Sequence, residues 1–241
     1  MKSVRLPQPE VDIKGFRLSK LKEKEYRHFL WLLIWPIYYL RYFIVEAVNP
    51  TGAACYVMHS PLDDMIPLCE LFLIPYGLWM VSMLAMHIFT MLYDVDTFKR
   101  YSKFILISFT ISTTIFLVFP TCQDLRPESF QRNNLFTWIL GILYKMDTNT
   151  NVCPSEHVIG ALAVFAAACN CRYFRKPWRI IGMTVFTVLV CLSTVFLKQH
   201  SILDLFAALP ICLIVYFICF GGKKVRKTKA DANAIAQTKG C

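Results

Sequence analysis

Residues 193–204 read Ser-Thr-Val-Phe-Leu-Lys-Gln-His-Ser-Ile-Leu-Asp and run directly into an apolar stretch that ends at Phe220. This stretch sets a charged residue inside a segment that otherwise reads as membrane helix. An unpaired Asp204 within such a helix costs roughly 2.5–3.5 kcal/mol on insertion scales, so it requires a partner. His200 lies one turn earlier on the same helical face. A second stretch, Pro154-Ser155-Glu156-His157, also places a histidine just ahead of an apolar run.

The rest of the chain repeats this grammar. Apolar runs occupy Phe29–Val48, Leu71–Leu92, Phe104–Pro120, His157–Cys171, Ile180–Leu197 and Ile202–Phe220. A spanning helix needs roughly 17–25 residues, and the fourth run is at the short end. The 241 residues are 56% hydrophobic and 17% charged, too apolar a balance for a water-soluble domain to cover. The expected fold is all-α: a six-transmembrane-helix bundle over 29–221, a basic segment over 1–28 and a basic, polar tail over 222–241. The stretch Leu135–Tyr144 is too short to span and is expected to lie as an interfacial or re-entrant helix between helices three and four. The first run follows a long charged segment and is expected to stay as a membrane helix rather than be cleaved as a signal peptide.

The net charge of +10 would suit nucleic acid, but its distribution suits a membrane. Eight Lys and Arg residues precede the first run, Lys99, Arg100 and Lys103 fall between the second and third, and Arg172, Arg175, Lys176 and Arg179 between the fourth and fifth. Lys223, Lys224, Arg226, Lys227 and Lys229 follow the sixth, while the other connections are poor in both residues. By the positive-inside rule both termini are cytoplasmic, and the basic ends meet anionic headgroups; no nucleic-acid partner is expected. Modest size and short loops point to a plasma membrane. The cysteines show no metal-binding spacing. Cys55, Cys69, Cys122 and Cys153 fall on or near the outer side, where Cys122 and Cys153 either pair or remain packed thiols.

This orientation brings Arg126, Ser155, His157, Lys198, His200 and Asp204 to one face from three places in the sequence. Each has a plain structural reading. Ser155 is a helix cap, Arg126 and Lys198 are snorkelling side chains, and His28, His59, His87 and His157 are interfacial histidines. Converging titratable groups at helix ends are nevertheless what a reactive site needs.

Ser193, His200 and Asp204 match the spacing of the third signature of the type 2 phosphatidic acid phosphatase/haloperoxidase superfamily. Pro154-Ser155-Glu156-His157 resembles its second signature and Arg126-Pro127 the end of its first. Phe119, Glu156 and Thr194 stand where that pattern has lysine, glycine and arginine. Phe119-Pro120-Thr121 and the Lys198 neighbour of His200 look more like the inositol phosphorylceramide synthase branch. The resemblance implies a phosphohistidine on His200, oriented by Asp204, with His157 as acid and base. It further implies a lipid phosphate, phosphatidate-like or an isoprenoid (pyro)phosphate, held by Arg126, Ser155, Lys198 and Ser193, with no metal and no cofactor. Phosphatase, headgroup transferase and non-catalytic lipid binder or transporter remain open. So does the direction of Glu156, outward or toward a headgroup hydroxyl.

Overall fold

The computed structural model of the chain describes residues 8–50 and 52–221; the expected basic tail over 222–241 lies outside the described residues. The fold is a helical bundle in which α1 (Ile34–Val48), α3 (Leu73–Tyr93), α4 (Val95–Val118), α6 (Glu156–Asn170), α7 (Pro177–Phe196) and α8 (Ile202–Phe220) pack side by side. Short α2 (Pro61–Met65) and α5 (Leu135–Met146) cover one end. Five helical segments are long and apolar enough to cross a membrane: Arg27–Val48, Glu70–Tyr93, Val95–Val118, Pro177–Phe196 and Ile202–Phe220. Large apolar side chains such as Phe43, Val81, Ile181, Ile214 and Phe217 face outward from these helices, as a lipid solvent demands and water would penalise.

The sixth helix in the bundle, α6, has 15 residues and is about 22 Å long at 1.5 Å per residue. It sits at the centre, against α3, α4, α7 and α8. Alanines and Gly160 make this position possible, since small side chains let helices approach. A Cβ on Gly160 would stand 2.5 Å from Nε1 of Trp79 and 2.7 Å from the Met83 sulfur.

Local chemistry sets the ends. The first run begins as a 3-10 helix, Arg27–Leu33, and becomes α-helical at Ile34. Pro36, which has no N–H, falls within the first turn of α1, where that donor has no helical partner anyway. The third run starts earlier than the sequence suggests: α4 begins at Val95, capped by Asp94, whose side chain accepts from the Thr97 N–H at 3.2 Å. Lys99, Arg100 and Lys103 therefore lie on the first turns of a helix rather than in a connection, with Arg100 paired to Asp96 one turn back at 3.0 Å.

Backbone bonds fix which connections share an end. Glu10 N–H donates to Leu92 O at 2.8 Å, and Arg172 donates to Tyr93 O at 2.7 Å and pairs with Glu10. The segments around 10, 94 and 172 thus meet at one end. At the other end, Tyr56–Val57 (β1) and Thr121–Cys122 (β2) pair in parallel, Asn151 N–H donates to Thr121 O, and Cys69 N–H donates to Phe196 O. A disulfide joins Cys55 to Cys122 there. This corrects the expectation for Cys122, which neither pairs with Cys153 nor stays free: the β1–β2 pairing brings Cys55 to it, while Cys153 remains a free thiol. Two expected interfacial histidines, His28 and His87, are instead buried.

Candidate active site

The stretch that opens α8 is built by two consecutive helix ends. The α7 helix closes with Lys198 N–H donating to Val195 O at 3.1 Å and Gln199 N–H to Thr194 O at 3.0 Å, the paired bonds of a Schellman ending. Lys198 occupies its left-handed position at φ 54°, where glycine is the usual residue. Three residues on, Ser201 caps α8, and Asp204 returns a carboxylate oxygen to the Ser201 N–H at 3.0 Å. His200 is held in the tight turn between the two helices.

That turn fixes the imidazole. Nδ1 of His200 lies 3.0 Å from Val152 O and 3.1 Å from Oδ2 of Asp204. A carbonyl oxygen can only accept, so Nδ1 carries a proton, and in the neutral ring that tautomer leaves the lone pair on Nε2. Asp204 is fully buried, and its backbone carbonyl accepts from the Ser155 N–H at 3.1 Å. This bond ties the starts of α6 and α8 together. Ser155 caps α6 through the Val158 N–H, which places His157 in the first turn. Its ring packs between Tyr76, 4.4 Å away and stacked, and Trp79, 4.3 Å away. The His157 and His200 rings stand edge to face at 5.5 Å.

Both histidines line a cavity of about 560 Å³, with walls from α1, α3, α5 and α6. Glu156 lines it too, resolving its direction as inward; one oxygen accepts from the Tyr38 hydroxyl, and the other, near the Ser112 hydroxyl, makes no well-formed hydrogen bond among the described residues. Glu46 and Asp147 complete a carboxylate set that the sequence reading missed, beside Tyr38, Tyr42 and Gln199. The signal was present, since Tyr38, Tyr42 and Glu46 recur at four-residue spacing on α1. Burial raises the Asp147 carboxyl above the ordinary range, partly offset by the nearby His200 ring and the Arg126 guanidinium. Burial also pushes the Cys153 thiol up to about 12, with the Asp204 charge adding to it, so this neighbour stays a protonated thiol rather than a competing nucleophile.

The residues expected to hold phosphate are placed differently. Arg126 lies behind the wall, donating to the carbonyls of Tyr144, Asp147 and Thr148 at 2.9–3.0 Å and to Oε1 of Gln199 at 2.5 Å. Burial lowers its pKa, opposed chiefly by Asp147. Nζ of Lys198 donates to Asp63 O at 2.6 Å, on a separate outer patch with His59, Asp64 and Asp124. Its pKa is lowered by burial and raised back by Asp63 and Asp64. The Ser193 hydroxyl is buried against Val190 O at 2.6 Å. Phe119 stacks on Tyr56 at 4.1 Å. Among the described residues, no lysine or arginine lines the cavity.

Asp63 is a positioning residue that sequence reading did not find. Its buried carboxylate accepts from the Ser201 hydroxyl at 2.6 Å and the Ile202 N–H at 2.8 Å, holding the start of α8 from outside. Among the described residues no His, Cys, Asp and Glu cluster has the form of a metal site. Compared with known proteins, the chain matches no family model, no curated protein and no solved structure.

Proposed function

We propose that the chain is an integral membrane phosphoryl-transfer enzyme acting on a lipid phosphate through a phosphohistidine on His200. The carrying observation is the doubly anchored Nδ1 of His200, which leaves Nε2 bare in a cavity shared with His157. The ordered signatures of the type 2 phosphatidic acid phosphatase superfamily, read above from spacing, support the same assignment of roles.

In the first step Nε2 attacks phosphorus and the bond from phosphorus to the lipid oxygen breaks. His157 gives that oxygen its proton. In the second step His157 takes a proton from water or an acceptor hydroxyl, whose oxygen attacks phosphorus and breaks the phosphorus–nitrogen bond. Asp204 and Val152 O stabilise the imidazolium that develops on His200. The simplest acceptor is water, which makes the chain a lipid phosphatase. A second reading, headgroup transfer to a lipid hydroxyl, is favoured by the cavity's lack of Lys and Arg. A phosphomonoester approaching two negative charges suits such a wall poorly, whereas a singly charged diester suits it better.

The membrane reading has six passes, with α6 as the sixth. At about 22 Å it falls short of the roughly 30 Å hydrocarbon core, but neighbouring helices bury most of its residues. Both termini are cytoplasmic and the site faces outward, in the plasma membrane. Charge alternation supports this, and so does the Cys55–Cys122 disulfide at the site end, a bond that persists in oxidising compartments. Incubation of the purified protein with a panel of lipid phosphates, beside His200→Ala, tests the proposal. It expects turnover of at least one lipid and its loss in the variant; equal turnover in both proteins would refute it.

A further inference from the structure

We infer that the cavity selects a lipid whose phosphodiester headgroup carries a cation, an ammonium or quaternary ammonium, over acidic and polyol headgroups. The inference rests on the lipid phosphoryl-transfer reading above and names the substrate class of the same site.

Three carboxylates, Glu46, Asp147 and Glu156, line the chamber, and none forms a salt bridge among the described residues. Glu46 accepts only neutral donors, the Asn151 amide at 2.7 Å and the Thr148 hydroxyl at 3.1 Å. Arg126 approaches Asp147 from behind, donating to its backbone carbonyl at 2.9 Å, while Glu46 and Glu156 have no ion-pair partner among the described residues. Glu156 is 9% exposed, Tyr38 donates to its Oε2, and its Oε1 and the neighbouring Ser112 hydroxyl make no well-formed hydrogen bond among the described residues. A buried carboxylate oxygen without a donor is costly unless a ligand supplies one.

The walls between these charges are aromatic. Tyr38 and Tyr42 stand one turn apart on α1, with ring centroids 6.2 Å apart, and Glu46 continues their row. Cations are attracted to such ring faces, and quaternary ammonium groups are recognised by aromatic cages. An acidic head would meet a carboxyl-lined wall without ion-pair partners in a site with low-dielectric walls, where repulsion is strong. The histidines take the phosphate and the α1 side takes the cation, so a zwitterionic headgroup matches the site's two halves. A polyol could hydrogen-bond the carboxylates but would leave their charge unbalanced.

The test uses the full-length protein in mixed micelles with four lipids of identical chains: phosphatidylcholine, phosphatidylethanolamine, phosphatidylinositol and phosphatidate. Diacylglycerol release is measured for all four, and binding is measured separately on His200→Ala. The two cationic headgroups should be preferred about ten-fold or more over the other two, a ratio consistent with a desolvated cation–aromatic contact beside charge. Glu46→Gln should erase most of that preference, read as the ratio of kcat/KM between the cationic and the other headgroups. Preference for phosphatidate or phosphatidylinositol would overturn the inference and leave phosphoryl transfer standing. If no lipid turns over, binding by His200→Ala decides. Retention of the cationic lipids upholds the inference while the transfer reading falls, and equal binding of all four overturns the inference.

Discussion

The histidine half and the cationic half of the expected site fold in opposite ways. His157, His200 and Asp204 converge on one cavity, with the His200–Asp204 contact at 3.1 Å. Arg126 and Lys198, expected to clamp phosphate beside them, turn away and spend their N–H groups on protein oxygens. The difference lies in how far each placement depends on distant chain. A histidine four residues from an aspartate at a helix start is positioned by local geometry. A long basic side chain is positioned by whichever acceptors the tertiary fold brings within reach, and here these are the open carbonyls at the end of α5 and of the Asp63 turn.

Breaking the histidine half should have the largest effect. Asp204→Asn keeps an acceptor for the Ser201 N–H but loses the charge that stabilises imidazolium, and turnover should fall roughly 100-fold, the scale of one lost electrostatic partner in a dry site. Val152 O continues to hold the tautomer. A fall of less than a few-fold would make Asp204 a helix cap and nothing more. Steady-state kinetics of the purified variant measures this.

In the cationic half, stability should respond. Arg126→Ala leaves the carbonyls of Tyr144, Asp147 and Thr148 without their donor and should cost about 2–3 kcal/mol, the loss of charged hydrogen bonds. Thermal unfolding in detergent reads it. An unchanged Tm with a raised KM would return Arg126 to the role of phosphate ligand. The smallest effect sharpens the placement of Lys198. Lys198→Gly and Lys198→Ala both remove the bond to Asp63 O, but only glycine accepts φ 54° freely. The glycine variant should be more stable than the alanine variant by about 1 kcal/mol, and equal Tm values would show that the turn relaxes.

The same distinction explains how much of the molecule its sequence announced. Five of the six expected long helices, the short Leu135–Met146 element and the gathering of His157, His200 and Asp204 at one end of the bundle followed from apolar run length, charge alternation and spacing, whereas the fourth run is a 15-residue helix. The α4 start did not, because its basic first turns look like a connection until Asp94 is recognised as a cap. The Cys55–Cys122 disulfide depends on two-residue strands too short to leave a pattern. The carboxylate wall was partly legible in Tyr38, Tyr42 and Glu46, a row that places acid on a helix face. Asp147 joins it only through tertiary packing. Glu156 was visible as a departure from a familiar motif, but its inward direction needed the Tyr38 hydroxyl contact from α1 to define it.

The central claim is that His200 carries the phosphoryl group. Phosphorus-labelled lipid from the panel that turns over, mixed with the protein and quenched in base within one turnover, should leave label on a peptide containing His200. That label should be lost on acid treatment and absent from His200→Ala. Turnover with no label on that peptide, or label retained in the variant, would contradict the account.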